Sequence, residues 1–312
     1  MSDASRPIAD HPILIFDGAC GTNLQNMSIP ETAWQGCEGC NEILNLTAPQ
    51  QIQELHRSFF EAGSMVVETN TFGANRVVLA EYDLQDRVGA INRAAVENAR
   101  QAAGDMPNRY VAGSMGPGTK LVSLGQIDRD ALAASYAEQA RALVEAGVDI
   151  LLLETCQDLL QIKTALVAIY DLLESLDRTV PLMVSVTVEQ TGTLLVGTDI
   201  AAVAATLEPY PIFSLGLNCA TGPADMESHI RYLSHNWSGR ISCMPNQGLP
   251  EVVDGQTVYC LKPDEYARRM KAFVAEYGVS VVGGCCGSSP EHIAALSRSL
   301  DGVSPAERKV DA

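Results

Sequence analysis

The chain has 312 residues, of which 46% are hydrophobic and 19% charged, so it is long enough to bury a large core. Lys and Arg number 21 against 38 Asp and Glu, a net charge of −17, which makes nucleic acid and anionic membranes poor partners. The polar N-terminus lacks the apolar stretch of a secretion signal, and no apolar run reaches the roughly 20 residues of a membrane helix. The nine cysteines then favour a reducing cytoplasm in which thiols bind metal or do chemistry.

Eight short apolar runs follow one another along the chain, and most are continuous, as in strands that are covered on both faces. They span residues 13–16, 65–69, 110–114, 150–155, 182–187, 213–218, 240–245 and 279–284. The segments between them have helical spacing. One helix is predicted from Pro49 to a stop at Gly63, a second from Asp128 to Gly147, and a third after Ser289 as its N-cap.

Eight strand-plus-helix units predict an α/β protein with a single (β/α)8 TIM barrel. A doubly wound sheet is the alternative, but no G-x-G-x-x-G follows the first strand. We expect the barrel to span residues 12–300, with an N-terminal tail at 1–11 and a C-terminal tail at 301–312, because no break in composition marks a second domain. Functional groups in such barrels gather at the carboxyl ends of the strands.

Two neighbouring cysteines, Cys285 and Cys286, lie between glycines at the end of the last apolar run. A disulfide between neighbours is disfavoured, since their Cα atoms are about 3.8 Å apart and a relaxed disulfide needs roughly 4.4–6.8 Å. The flanking glycines let the backbone leave the strand, so that both sulfurs can face one point, such as a metal ion. On these two residues alone, small buried side chains at a turn explain the pair equally well.

The other strand ends also carry polar residues or cysteine. In chain order they are Asp17 and Gly18, Glu68 to Asn70, Ser114 to Pro117, Glu154 and Thr155, Thr187, Asn218 and Cys219, and Pro245 and Asn246. One strand separates strands six and eight of a closed barrel, so Cys219, Cys285 and Cys286 can share a metal. Three thiolates with one open position are typical of a catalytic zinc site at the rim, whereas structural zinc usually has four protein ligands.

Seven motifs, taken in order, resemble the homocysteine S-methyltransferase family, and in particular the homocysteine-binding module of cobalamin-dependent methionine synthases. They are FDGACGT (16–22), ETNTFGAN (68–75), GSMGPGTK (113–120), LLETCQD (152–158), GLNCATGP (216–223), MPNQG (244–248) and GGCCG (283–287). The resemblance covers roughly residues 12–300. Its most specific feature is the distant cysteine followed by Gly-Gly-Cys-Cys-Gly.

The resemblance implies a zinc-dependent methyltransferase that converts homocysteine to methionine. Cys219, Cys285 and Cys286 would be the zinc ligands, and Asn246 would fill the fourth position when substrate is absent. The implied substrate contacts are Asp17 and Glu154 to the ammonium group, backbone N–H groups around Gly18, Gly21 and Thr22 to the carboxylate, and the side chains of Ser114 and Asn218. Zinc has a chemical purpose here, because a free thiol has a pKa near 8.5 and loses its proton on binding Zn²⁺.

The methyl donor stays open in the sequence. Methionine synthases of the cobalamin-dependent type carry folate, cobalamin and activation modules beyond the homocysteine module. Because residues 113–125 look most like that branch, we expect methylcobalamin on a corrinoid partner protein or on a further module of the same protein. A stand-alone enzyme that uses S-methylmethionine or betaine is the alternative.

Three other features compete with this interpretation. Cys37 and Cys40 form a C-x2-C pair, a rival metal or redox site, although no second pair stands at zinc-finger spacing. The sequence AGSMG around Ser114 imitates the nucleophile elbow of serine hydrolases. Glu68 can bind substrate or cap a neighbouring turn. A zinc-stabilised protein without catalytic activity is the remaining alternative, and the open fourth position argues against it.

Overall fold

The computed structural model describes residues 7–253 and 256–310. The strands of this part are β1 (Leu14–Ile15), β2 (Val66–Glu68), β3 (Tyr110–Met115), β4 (Ile150–Cys156), β5 (Leu182–Val186), β6 (Ser214–Asn218), β7 (Arg240–Met244), β8 (Pro250–Val253), β9 (Gln256–Tyr259) and β10 (Val281–Val282). Eight of them form one sheet in the order β1-β10-β7-β6-β5-β4-β3-β2. A parallel bridge between Phe16 and Val66 joins its two edges. The sheet is therefore a nearly closed barrel of eight parallel strands.

Helices lie between the strands, which confirms the predicted (β/α)8 TIM barrel over the doubly wound sheet. They are α1 (Cys20–Gln25), α2 (Leu44–Thr47), α3 (Pro49–Ala62), α4 (Arg76–Leu79), α5 (Val88–Ala103), α6 (Arg129–Ala146), α7 (Leu159–Ser175), α8 (Ile200–Leu207), α9 (Pro223–Asn236), α10 (Pro263–Tyr277) and α11 (Pro290–Ser299). None of the helices in the described ranges combines the length and the apolar character that crossing a membrane requires.

The predicted helix ends are confirmed to within one residue. Gly63 ends α3 with a φ of 107°, a left-handed conformation that glycine adopts without strain. The Asp128 side chain accepts hydrogen bonds from the N–H groups of Asp130 and Ala131 and so caps α6. Ser289 caps α11 through a capping box whose second member is His292.

Burial along β4 explains how the barrel presents polar groups at its rim. Ile150 and Leu152 belong to the apolar cluster inside the barrel, whereas Leu151 and Leu153 pack between the sheet and the helices. Each such fully buried side chain contributes about 1.5–3 kcal/mol to stability. Because side chains alternate between the two faces of a strand, the next inward position after Leu152 is Glu154. The apolar interior of the barrel therefore ends at the Glu154 carboxylate.

Three segments lie outside the eight repeating units. β8 and β9 pair as an antiparallel hairpin between β7 and α10, which the predicted pattern does not include. The Arg240 guanidinium donates to the carbonyl groups of Ala9 (2.8 Å) and His11 (2.9 Å) beneath the barrel. The Ala306 N–H donates to the Val274 carbonyl (3.0 Å). The described parts of both predicted tails therefore contact the barrel.

Candidate active site

The three cysteines predicted as metal ligands meet at the carboxyl ends of β6 and β10. Their Sγ atoms all lie within 4.8 Å of one another, and the Sγ atoms of Cys219 and Cys286 are 3.8 Å apart. Tetrahedral thiolates at the usual Zn–S distance of about 2.3 Å would be separated by about 3.8 Å. Among the residues that the structure describes, this group meets the spacing of a metal site, and its soft sulfur donors fit zinc.

The backbone at the ends of β6 and β10 leaves regular strand geometry to bring these sulfurs together. Cys219 lies in the left-handed region with a φ of 63°. The Cys285 N–H donates to the Pro245 carbonyl (2.9 Å), at the end of β7. A Cβ atom on Gly284 would lie 2.2 Å from Ser288 Oγ, so only glycine fits before the cysteine pair.

Asn246 follows β7 and lies in the same part of the rim. Its N–H donates to the Thr221 carbonyl (3.0 Å), and the next residue, Gln247, donates from its N–H to the Cys286 carbonyl (2.9 Å). The Asn246 side chain is buried, and its Oδ1 atom has no hydrogen-bond partner within the described residues. A buried, unpaired acceptor is costly, which fits the predicted role of Asn246 as an alternative metal ligand.

Three carboxylates gather at the ends of β1, β2 and β4. Asp17 and Glu154 are buried, with 4% and 6% of their surface exposed, and Glu68 is half-buried. Both Asp17 carboxylate oxygens accept from the Glu68 N–H, at 3.2 and 3.1 Å. Ser114 Oγ donates to Glu154 Oε1, and Asn218 Nδ2 donates to Glu154 Oε2 (3.4 Å). These donors fix the positions of the Asp17 and Glu154 carboxylates.

Burial raises the pKa of all three carboxyl groups and so favours their neutral forms. Desolvation raises the pKa of Glu154 to about 7, against the opposing hydrogen bond from Ser114. Desolvation also raises the pKa of Asp17 and of Glu68 well above the ordinary range, and the neighbouring charge of Glu154 adds to both shifts. An arriving cation would reverse this effect by favouring the ionised forms.

The pKa values of Cys285 and Cys286 are shifted in opposite directions. Hydrogen bonds from Cys219 and Cys285 lower the pKa of Cys286 to about 3. Hydrogen bonding to Cys219, together with burial, raises the pKa of Cys285 well above its ordinary value. The close approach of the three thiols therefore opposes their joint ionisation, and a bound cation would favour it.

Thiols and carboxylates face a common cavity of about 380 Å³. Its lining residues are Gly18–Thr22, Gly39, Asn41, Glu42, Glu68–Asn70, Phe72, Gly73, Val78, Tyr82, Ser114, Glu154, Thr155, Cys219 and Gly284–Cys286. None of these described lining residues is Lys, Arg or His. Among the predicted site residues, Asp17, Asn218 and Asn246 lie behind this lining. The cavity is thus rich in negative groups and offers no cation of its own among the described residues.

Several cavity residues were not predicted from the sequence. Cys20 lies with its Sγ 3.5 Å from Asn70 Oδ1, and its position inside the motif FDGACGT is a signal that could have identified it. Phe72 and Tyr82 supply the aromatic part of the lining. Phe72 lies inside the motif ETNTFGAN, whereas Tyr82 lies outside all seven motifs and has no comparable signal. Thr155 directly follows Glu154 and has an unusual backbone conformation, with a φ of 56°.

The competing motifs receive less support. Cys40 Sγ lies 3.6 Å from Glu42 Oε2, whereas Cys37 Sγ lies 3.9 Å from the Gln35 carbonyl, so the two thiols have separate partners. Ser114 donates to Glu154, an arrangement unlike the serine–histidine pair that a serine hydrolase requires. The Glu68 side chain lines the cavity, and the Glu68 N–H donates a hydrogen bond to the Asp17 carboxylate.

Comparison with known proteins agrees with this geometry. The chain is 44% identical over 301 residues to a methionine synthase of Mycobacterium leprae, covering 94% of this chain and 25% of that protein. It is 43% identical over 302 residues to a methionine synthase of Mycobacterium tuberculosis, covering 96% of this chain and 25% of that protein. The chain therefore spans about a quarter of the length of these curated relatives.

Solved structures share the fold. The oxidised form of the homocysteine methyltransferase MmuM from Escherichia coli superposes with a TM-score of 0.73 at 24% identity, over 93% of this chain and 96% of that chain. Its metallated form gives a TM-score of 0.70 at 23% identity, over the same shares. The family model for homocysteine S-methyltransferase matches residues 14–300. As the seven motifs predict, the chain belongs to the homocysteine S-methyltransferase family.

Proposed function

We propose that this chain binds homocysteine and methylates its sulfur to give methionine. The observation that carries the proposal is the shared cavity, in which three convergent thiols face buried carboxylates, with no Lys, Arg or His among its described lining residues. Buried like charges are unfavourable unless cations accompany them. A metal ion at the thiols and a substrate ammonium at the carboxylates would compensate the negative charge at both ends of the cavity.

Cys219, Cys285 and Cys286 would hold a zinc ion, with Asn246 available for the fourth position when substrate is absent. When bound, zinc would lower the pKa of a substrate thiol and make its sulfur nucleophilic at neutral pH. The Gly287 N–H donates to Thr22 Oγ1 (3.2 Å), which ties the loop after the cysteine pair to α1. This contact would keep the three cysteines at a fixed distance from α1, whose N–H groups are proposed to bind the substrate carboxylate.

The amino-acid end would use both charge and backbone donors. Glu154 lines the cavity and would accept the substrate ammonium, while Asp17 would add negative charge from behind the lining. The N–H groups of Gly21 and Thr22 belong to the first turn of α1, where backbone donors lack intrahelical partners, and would hold the substrate carboxylate. Gly18 would keep the chain close to the rim, because a Cβ there would lie 2.8 Å from Ser288 Oγ.

For the methyl donor we propose methylcobalamin carried by a partner protein or by another module. Support comes from the motif at residues 113–125 and from the similarity to methionine synthases four times as long. S-methylmethionine and betaine are the alternative donors of a stand-alone enzyme.

The test is a methyl-transfer assay with zinc-loaded protein, homocysteine and one donor at a time. Methylcobalamin, S-methylmethionine, betaine and methyltetrahydrofolate are compared in parallel, and methionine is measured by mass spectrometry. We expect methionine from methylcobalamin, and none from the Cys286→Ser protein. Methionine from a small donor alone would contradict the proposed donor, and absence of homocysteine binding would contradict the proposed function.

A further inference from the structure

The Asn218 side chain connects the two ends of the cavity. It is buried at the end of β6, with 1% of its surface exposed. Its Nδ2 donates to Thr155 Oγ1 (2.8 Å) and to Glu154 Oε2 (3.4 Å), and lies 3.9 Å from Cys285 Sγ. Its Oδ1 accepts from the Thr155 N–H (2.9 Å) and from Ser185 Oγ (2.7 Å). One amide thus touches the ends of β4, β5 and β10.

Thr155, its main partner, has a strained backbone. Its φ is 56°, a left-handed conformation that is a genuine outlier for a β-branched residue. The pairing of β4 with β5 shifts register between Leu153 and Cys156, so Glu154 and Thr155 form a bulge. Bulges beside active sites redirect side chains, and strained residues persist only where their surroundings hold them.

Two hydrogen bonds from the Asn218 amide hold Thr155 in this left-handed conformation. The Thr155 N–H, which the bulge removes from the regular pairing, is satisfied by Asn218 Oδ1, and the Thr155 hydroxyl is satisfied by Nδ2. The amide contacts protein groups at both of its atoms, and Asn218 is absent from the described cavity lining. This placement differs from the direct substrate contact that the motif suggests.

We infer that Asn218 is a positioning residue that locks the Glu154–Thr155 bulge and thereby aims the Glu154 carboxylate at the substrate ammonium. The inference rests on the proposed homocysteine site. It predicts that a change at Asn218 acts on recognition of the amino group and leaves recognition of the sulfur largely intact.

The test compares two ligands of zinc-loaded protein by calorimetry: homocysteine and 4-mercaptobutyrate, which has the same thiol and carboxylate but no amino group. Asn218→Ala should weaken homocysteine binding about tenfold or more, as expected for loss of a charge-assisted contact, and change 4-mercaptobutyrate binding by less than about threefold. Zinc content and the thermal unfolding midpoint are measured on the same samples. An equal loss for both ligands would overturn the inference.

A double-mutant cycle tests the bulge itself. Glycine adopts a positive φ without strain, so the Asn218→Ala loss of homocysteine affinity should be several-fold smaller in a Thr155→Gly background. Thr155→Val keeps the strained shape but lacks the hydroxyl, and should weaken homocysteine selectively. Thr155→Val requires no change at Asn218, so this variant tests the inference even where Asn218→Ala does not fold.

Additive losses in the cycle, or unchanged homocysteine affinity in Thr155→Val, would show that Asn218 does not act through Thr155. If the wild-type protein binds neither ligand, the proposed function fails. If it binds homocysteine and the variants lose no selectivity, only the inference about Asn218 fails.

Discussion

The two ends of the cavity collect negative charge in different ways. At the carboxylate end, protein donors already hold the acids, since Asp17 accepts from the Glu68 N–H and Glu154 accepts from Ser114 and Asn218. At the thiol end, the sulfurs mainly face one another, with Cys219 and Cys286 3.8 Å apart. The first end is pre-organised by the fold, whereas a metal ion, under the proposed function, would complete the second.

This difference explains why each end suits a different cation. An ammonium group is recognised by a few directed acceptors whose positions must be fixed in advance. A bound zinc ion would draw its ligands into place and compensate their charge, which would favour the thiolate form of all three cysteines. The predictions that follow perturb one end while the other serves as its control.

The largest effect is expected at the thiol end. Cys286→Ser or Cys219→Ser should lose most of the one zinc ion expected per chain, because an alcohol is a poor ligand for a soft metal at neutral pH. Cys37→Ser should keep its zinc, since the Cys37 thiol faces the Gln35 carbonyl. Metal per chain is measured by mass spectrometry after dialysis against a chelator. Zinc loss in Cys37→Ser but not in Cys286→Ser would place the metal elsewhere.

The next largest effect is expected at the carboxylate end. Glu154→Gln should weaken homocysteine binding by about 10- to 150-fold, the equivalent of a lost charge-assisted bond of roughly 1.5–3 kcal/mol. Asp17→Asn should weaken it less, because Asp17 lies behind the lining. Both variants should retain zinc.

Calorimetry with homocysteine measures these affinities. Glu61→Gln, an exposed position on α3, is the charge-matched control and should bind as the wild type does. Wild-type affinity in both Glu154→Gln and Asp17→Asn would contradict the roles assigned to these carboxylates.

A smaller effect is expected on stability as the pH changes. Because burial raises the pKa of Glu154 to about 7, its contribution to stability is fully present below its ordinary pKa near 4.3 and is lost as the pH rises through about 7. The free energy of unfolding of metal-free wild type should therefore fall relative to that of Glu154→Gln between about pH 4.5 and 7.5, by about 1–3 kcal/mol. Denaturant titrations at several pH values measure the difference, and a difference that stays flat or rises would contradict the raised pKa.

The sequence predicts the barrel well because its signal is local. Strands buried on both faces need continuous apolar runs, so the four residues from Ile150 to Leu153, all fully buried, identify β4 without any partner. Helix ends such as Gly63 are marked by residues that suit a particular backbone conformation. The convergence of Cys219 with Cys285 follows once the barrel is assumed, because strand order fixes which ends are neighbours.

The remaining features depend on contacts between distant residues. Nothing near Thr155 in the sequence indicates its left-handed backbone, since the partner that holds it, Asn218, is 63 residues away. The motif carries Asn218 as a substrate contact, whereas the structure turns its amide toward Thr155 and Glu154. Phe72 and Tyr82 reach the cavity from the segment between β2 and α5, whose path across the rim local patterns do not determine.

The central claim is that the homocysteine sulfur meets the metal held at the thiol end. Its most direct test is the number of protons released when homocysteine binds zinc-loaded protein at pH 7, obtained from binding heats in buffers of different ionisation enthalpy. A free thiol is largely protonated at this pH, so we expect a release approaching one proton beyond that measured with homoserine, which has a hydroxyl in place of the thiol. Homoserine keeps the ammonium and carboxylate, so it accounts for protons displaced from Glu154 and its neighbours. Equal proton release and equal affinity for the two ligands would mean that the sulfur does not reach the metal, and the account would be wrong.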